Sequence, residues 1–117
     1  MTEQLPIVDI DALLGSVDGD CDLLDDLADT FAAEVPGWIS QLRAAVASGD
    51  AATTYRVAHG LNGAMSYLKA SIVQRAAAEL EAMGREANLD DASRALEQLE
   101  AALLALRTFL SGTPWRR

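Results

Sequence analysis

The chain has one histidine, His59, and the residues around it are chosen for access rather than packing. It lies within AATTYRVAHGLNGAMSYLK, residues 51–69. A neutral imidazole is a good nucleophile near neutral pH. Its small neighbours Ala52, Gly63 and Ser66 leave the ring standing clear. Tyr55, Arg56 and Asn62 add an aromatic face, a cation and an amide within one turn. Gly60 and Gly63 interrupt a helical pattern, each at roughly 0.5–1 kcal/mol relative to alanine. Nothing local offsets that cost, and close approach by another surface would.

A single helix positions these groups. At about 100° per residue, Val57, Leu61, Ala64 and Leu68 fall roughly 140–200° from His59, with Thr54 and Met65 beside them. That stripe predicts a buried face directly opposite the histidine. An exposed imidazole on a scaffold with no second histidine, nucleophile–base pair or phosphate-cradling loop has nothing with which to turn a substrate over. It has what a carrier needs, provided that a partner supplies the catalytic apparatus.

Ala58-His59-Gly60-Leu61-Asn62-Gly63, followed by Leu68, resembles the histidine phosphotransfer (HPt) domain family. That family typically reads Ala-His-x-Leu-Lys-Gly, with a leucine and then a glycine closing the helix. Phe31 and Pro36 on a long preceding segment, the Gly49-Asp50 break and the Leu80-Glu81 pair extend the resemblance, which covers about residues 9–110. It implies a phosphoryl carrier of a two-component phosphorelay, with His59 as phosphoacceptor. The group would come from a receiver-domain aspartate or a sensor histidine kinase and pass to another receiver. Mg²⁺ would belong to the receiver, and the carrier needs no cofactor of its own. Asn62, Arg56, Gly63 and Ser66 would surround the phosphoryl group, and Tyr55, Arg56, Gly60, Asn62, Gly63 and Ser66 would meet the partner.

Two positions depart from the family pattern. Asn62 stands where the lysine is usual and removes a positive charge beside the phosphoryl group. Arg56, one turn before His59 and about 60° round the helix, is the cation expected to substitute in part. Lys69 stands where glycine closes the helix, which removes the preferred left-handed terminator.

Composition bounds the remaining possibilities. One hundred and seventeen residues, half of them hydrophobic, make one domain with a single core. A net charge of −9 argues against a nucleic-acid partner and disfavours anionic membrane surfaces. The lone Cys21 gives no intrachain disulfide and fits a reducing cytoplasm. The N-terminus, MTEQLPIVDID, lacks a signal-peptide pattern. No stretch approaches the ~18 uninterrupted apolar residues of a membrane span. Asp18-Gly19-Asp20-Cys21-Asp22 has alternating acids, but an EF-hand loop would need glycine at Leu23 and glutamate at Asp29. These acids read instead as helix caps.

In chain order, Asp9 caps a short helix over about 10–17, after a lead-in with Pro6. The second helix, about 21–48, carries the stripe Leu24, Leu27, Phe31, Val35, Trp38, Leu42 and Val46, and Pro36 should kink it. The fourth, about 71–87, puts Ile72, Val73, Ala76, Leu80 and Met83 inward, with Gly84 near its end. Asp90 or Asp91 caps the fifth, about 91–111, whose stripe is Leu96, Leu99, Leu103, Leu106 and Leu110. The expected fold is all-α: an antiparallel up-down-up-down four-helix bundle with a short N-terminal capping helix. Residues 1–117 form one domain with a core at about 9–111, and Trp115-Arg116-Arg117 reads as a frayed tail. A monomer is expected, because one chain closes its own bundle. Two other functions fit the residues: an HPt-fold adaptor that binds a receiver or kinase without accepting phosphate, and an unrelated helical interaction protein.

Overall fold

The computed structural model of the protein describes residues 7–116. Pro6 and the rest of the expected lead-in lie outside the described residues, as does Arg117. Five helices follow one another: α1 (Ile10–Ser16), α2 (Cys21–Ser48), α3 (Ala51–Tyr67), α4 (Ser71–Arg85) and α5 (Ala92–Ser111). There is no strand among the described residues. The two-residue break Gly49-Asp50 between α2 and α3 forces the chain to reverse, as do the short turns at 68–70 and 86–91. Helices α2 to α5 each pack on their sequence neighbour, and α5 closes the ring against α2.

Aspartates start three of the helices. Asp9, Asp20 and Asp50 accept from the backbone N–H groups of Ala12, Leu23 and Thr53 at 3.0, 3.1 and 3.0 Å. Each such cap contributes about 1 kcal/mol. Asp91 occupies the same position before α5 but makes no side-chain cap bond. Gly49 ends α2 in the left-handed region at φ 72°. The turn after α3 needs the same conformation, and Lys69 adopts it at φ 57°. The helix therefore ends at Tyr67 without the usual glycine, with Ala70 N donating to Met65 O to close the turn.

The core is built from the expected stripes. Leu96, Leu99, Leu103, Leu106 and Leu110 of α5 are all buried, as are Leu24, Phe31, Val35 and Leu42 of α2. Helix α2 runs as one element through Pro36, whose ring faces solvent, where the missing N–H bond disturbs least. Helix α1 lies across the end of the bundle where α2 begins and α3 ends. Leu13 is buried there, and Asp9 N donates to Lys69 O at 3.2 Å.

Two expectations need correction. The buried face of α4 is Val73, Ala77, Leu80, Glu81 and Gly84, with Ala76 and Met83 half-buried against the core as expected, while Ile72 is 39% exposed. Gly84 faces α3 where the two helices come closest. The described part of the tail is not frayed: Trp115 is buried in the core cluster. Its indole Nε1 donates to Asp25 Oδ1 at 2.8 Å, and Arg116 bonds both Asp25 and Asp22.

Candidate functional site

The α3–α4 seam sets the geometry of the site. A Cβ on Gly84 would lie 2.6 Å from the Tyr55 backbone nitrogen and 2.9 Å from Ala51 O. Only glycine allows α4 to come so close to the first turns of α3. One turn back along α4, that approach puts Glu81 against the histidine face. His59 Nδ1 lies 3.3 Å from Glu81 Oε1, and Asn62 Nδ2 donates to the same oxygen at 3.2 Å. Arg85 Nη2 donates to Glu81 Oε2 at 2.6 Å.

Glu81 is thus a carboxylate whose side chain is only 9% exposed, satisfied by three side chains. A buried charge needs such pairing. Because the carboxylate paired with Arg85 accepts, the imidazole proton belongs on Nδ1. The lone pair is then on Nε2. The His59 side chain is 65% exposed, so that nitrogen is open to an incoming group.

An aromatic stack supports the ring. Tyr55 and His59 lie 5.6 Å apart between centroids with planes at 19°, and the Arg85 guanidinium sits 5.6 Å above the Tyr55 ring. The opposite face of α3 is buried through Thr54, Val57, Leu61 and Met65, as the wheel predicts, and Ala58 is buried beside it.

The other expected site residues divide. Tyr55 and Asn62 join His59 in one network. Gly60, Gly63 and Ser66 are exposed along the same helix. A Cβ on Gly60 or Gly63 would meet nothing within 4 Å, so nothing within this chain uses their smallness. Arg56 is exposed and is not brought to the imidazole; its charge instead helps hold Asp50 ionised. The Thr53 hydroxyl and N–H are the larger causes that lower the Asp50 carboxyl from its ordinary 3.8. Among the described residues, no group of three His, Cys, Asp or Glu side chains could hold a metal ion.

The family model for the Hpt domain matches residues 26–109, which span α2 to α5 and the whole network. The chain belongs to the Hpt domain family. It is a histidine phosphotransfer protein of a phosphorelay, and Hpt domains work in two-component relays with kinases and receivers. The crystal structure of histidine-containing phosphotransfer protein B from Pseudomonas aeruginosa PAO1 superposes with a TM-score of 0.86 at 28% identity, over 97% of this chain and 99% of that one. The Hpt domain of a sensor hybrid histidine kinase from Shewanella gives a TM-score of 0.78 at 20% identity, covering 91% of this chain and 92% of that one, a likeness of fold. No curated protein sequence matches significantly.

Sequence reasoning about this Hpt domain missed Glu81 as the centre of the network, and Arg85 beside it. The Leu80-Glu81 pair was the available signal for the first. Glu81 and Arg85, four apart on one helix, were the signal for the second. Neither signal says that the pair faces His59, because Gly84 sets that register.

Proposed function

We propose that His59 is the phosphoryl-accepting residue of this Hpt domain, taking the group from the phospho-aspartate of a receiver domain and returning it to another receiver. The single observation that carries this reading is an imidazole 65% exposed whose Nδ1 faces buried Glu81, which leaves Nε2 for the incoming group. In the transfer, the Nε2 lone pair attacks phosphorus and forms the N–P bond. The acyl phosphate P–O bond breaks, and the aspartate carboxylate leaves with the electron pair. The ring keeps its Nδ1 proton and becomes cationic, and Glu81 lies ready to stabilise that charge as it develops. The reverse transfer follows the same path. Mg²⁺ is the receiver's ion and supplies charge neutralisation at the phosphoryl oxygens.

The domain acts as a carrier without turnover of its own, and as a monomer. Docking uses the α3 face of Tyr55, Arg56, Gly60, Asn62, Gly63 and Ser66, of which Arg56, Gly60, Gly63 and Ser66 are exposed. Beside it, between α2 and α3, lies an apolar groove of about 390 Å³ that includes Leu27, Phe31, Trp38 and Tyr67. Tyr67 is 82% exposed. A cytoplasmic setting fits the free Cys21 and the lack, among the described residues, of any helix long and apolar enough to cross a membrane.

The test is transfer from a labelled phospho-receiver with Mg²⁺. Acid-labile, alkali-stable label is expected on the wild type and absent from His59→Gln. Label that persists in His59→Gln overturns the assignment.

A further inference from the structure

The family motif puts a lysine three residues after the histidine, and this chain has Asn62 there. An amide donates neutral hydrogen bonds only. In addition, the Asn62 amide is already turned onto Glu81. A transferred phosphoryl group brings two negative charges and needs a cation, because charge-assisted bonds to phosphate are the strong ones. Among the described residues no cation other than Arg85 is bonded into the His59 network. Arg56, exposed on α3 itself, makes no hydrogen bond or ion pair with the His59 network among the described residues, and Lys69 sits beyond the end of the helix in the α1 contact. Arg43 and Arg116 are committed to Glu100 and to Asp22 and Asp25.

Arg85 differs from all of these. It is linked to His59 through one carboxylate and is 60% exposed at its side chain. Its head lies over the Tyr55 ring, which stacks on the imidazole. The guanidinium has five N–H donors, and its hydrogen bond to Glu81 comes from Nη2. We propose that Arg85 is the phosphoryl-binding cation of this Hpt domain, supplying from α4 the charge that the motif lysine supplies from the histidine helix. The proposal rests on His59 being the phosphoacceptor. Before transfer, Glu81 and Tyr55 hold the guanidinium beside the site. After transfer, the phosphoryl oxygens draw it from Glu81, which keeps Asn62 and the Nδ1 proton of the now cationic ring.

The test uses the whole chain phosphorylated chemically with phosphoramidate, which needs no receiver. Mass spectrometry with His59→Gln as control locates the group. The phosphohistidine half-life and the ³¹P titration of the phosphoryl group are then measured. In Arg85→Gln the half-life should shorten about tenfold, and the second phosphoryl ionisation should move to higher pH. Arg85→Lys should keep most of the wild-type half-life. Adding Asn62→Lys to Arg85→Gln should restore it, since the lost element is charge. An unchanged half-life and titration in Arg85→Gln overturns the proposal. So does failure of Asn62→Lys to restore them in a double variant with wild-type helicity. A wild type that carries chemical phosphate stably but takes none from any receiver contradicts the relay reading, and the Arg85 comparison still decides this one.

Discussion

Two carboxylates in this molecule hold the same kind of partners, an arginine and a ring nitrogen, with opposite results. Asp25 on α2 accepts from the Trp115 indole and the Arg116 guanidinium and fastens the chain's end to the bundle. Glu81 on α4 accepts from the Arg85 guanidinium and faces His59 Nδ1. Asp25 is 34% exposed and Trp115 is buried, so the tail cluster covers an apolar ring and closes on itself. At the seam the depths are reversed: the carboxylate is 9% exposed and the imidazole 65%. An indole has one polar atom, and Asp25 uses it. An imidazole has two, and Glu81 uses only one. The same hydrogen-bond chemistry makes a staple where the ring has nothing left to offer, and a held nucleophile where it does.

The comparison breaks first at Trp115. Trp115→Ala removes a buried aromatic and should destabilise the fold by about 3–5 kcal/mol. Phosphotransfer below the lowered melting point should be unchanged. A large loss of transfer in the folded variant would mean that the two clusters are coupled.

Gly84→Ala is the converse, because it acts at the seam and leaves the tail alone. The obstructing atoms are backbone, so α4 must shift away from α3, at about 1–3 kcal/mol. Both stability and transfer should fall, while Trp115 fluorescence in the native state stays as it was. Full transfer by this variant would contradict the role given to the close approach.

Glu81→Gln sharpens the contrast further. The amide keeps the shape but loses the charge that faces the ring, and its N–H₂ group cannot accept from Arg85. Transfer should slow about tenfold, an effect of roughly 1.4 kcal/mol on the barrier. Helicity should be retained, as expected of a positioning residue. A rate within twofold of wild type would show that Nδ1 needs no anionic partner.

Acid should act on the staple with little overall effect. Hydrogen bonds from Arg116 and then Trp115 hold the Asp25 carboxyl below its ordinary 3.8. A depressed carboxylate contributes fully above the unfolded value and loses that contribution as pH falls through the lower folded value. Trp115 emission, read in a Trp38→Phe background, should therefore be flat from neutral pH down to about 4 and shift only below it. A shift centred at higher pH would contradict the clamp.

The helices were legible because each needed only its own sequence. The α5 leucines and the caps at Asp9 and Asp20 are local signals, and the structure uses them as read. Lys69 shows how far a local rule extends: the turn needs a left-handed residue, and lysine takes that conformation where glycine was expected. His59 and its exposed face were equally legible, since one helical wheel separates the buried stripe from the open one. Glu81, Arg85 and Trp115 were not. Each acts across helices, 22 residues apart for Glu81 and His59 and 90 for Trp115 and Asp25. Their alignment depends on Gly84 and on how the ring of helices closes. For the same reason Arg56 was given a role that Arg85 is better placed to fill: neighbours on one helix are visible in sequence, and neighbours across a seam are not.

The most direct test of the account is to locate the phosphoryl group on the ring. The domain, phosphorylated by a receiver with Mg²⁺ and labelled with ¹⁵N-histidine, would be read by ³¹P and ¹⁵N NMR. The geometry predicts phosphorus coupled to Nε2 of His59, with the proton retained on Nδ1 facing Glu81. Phosphorus on Nδ1 would contradict it, because Glu81 would then have to give up the nitrogen it faces.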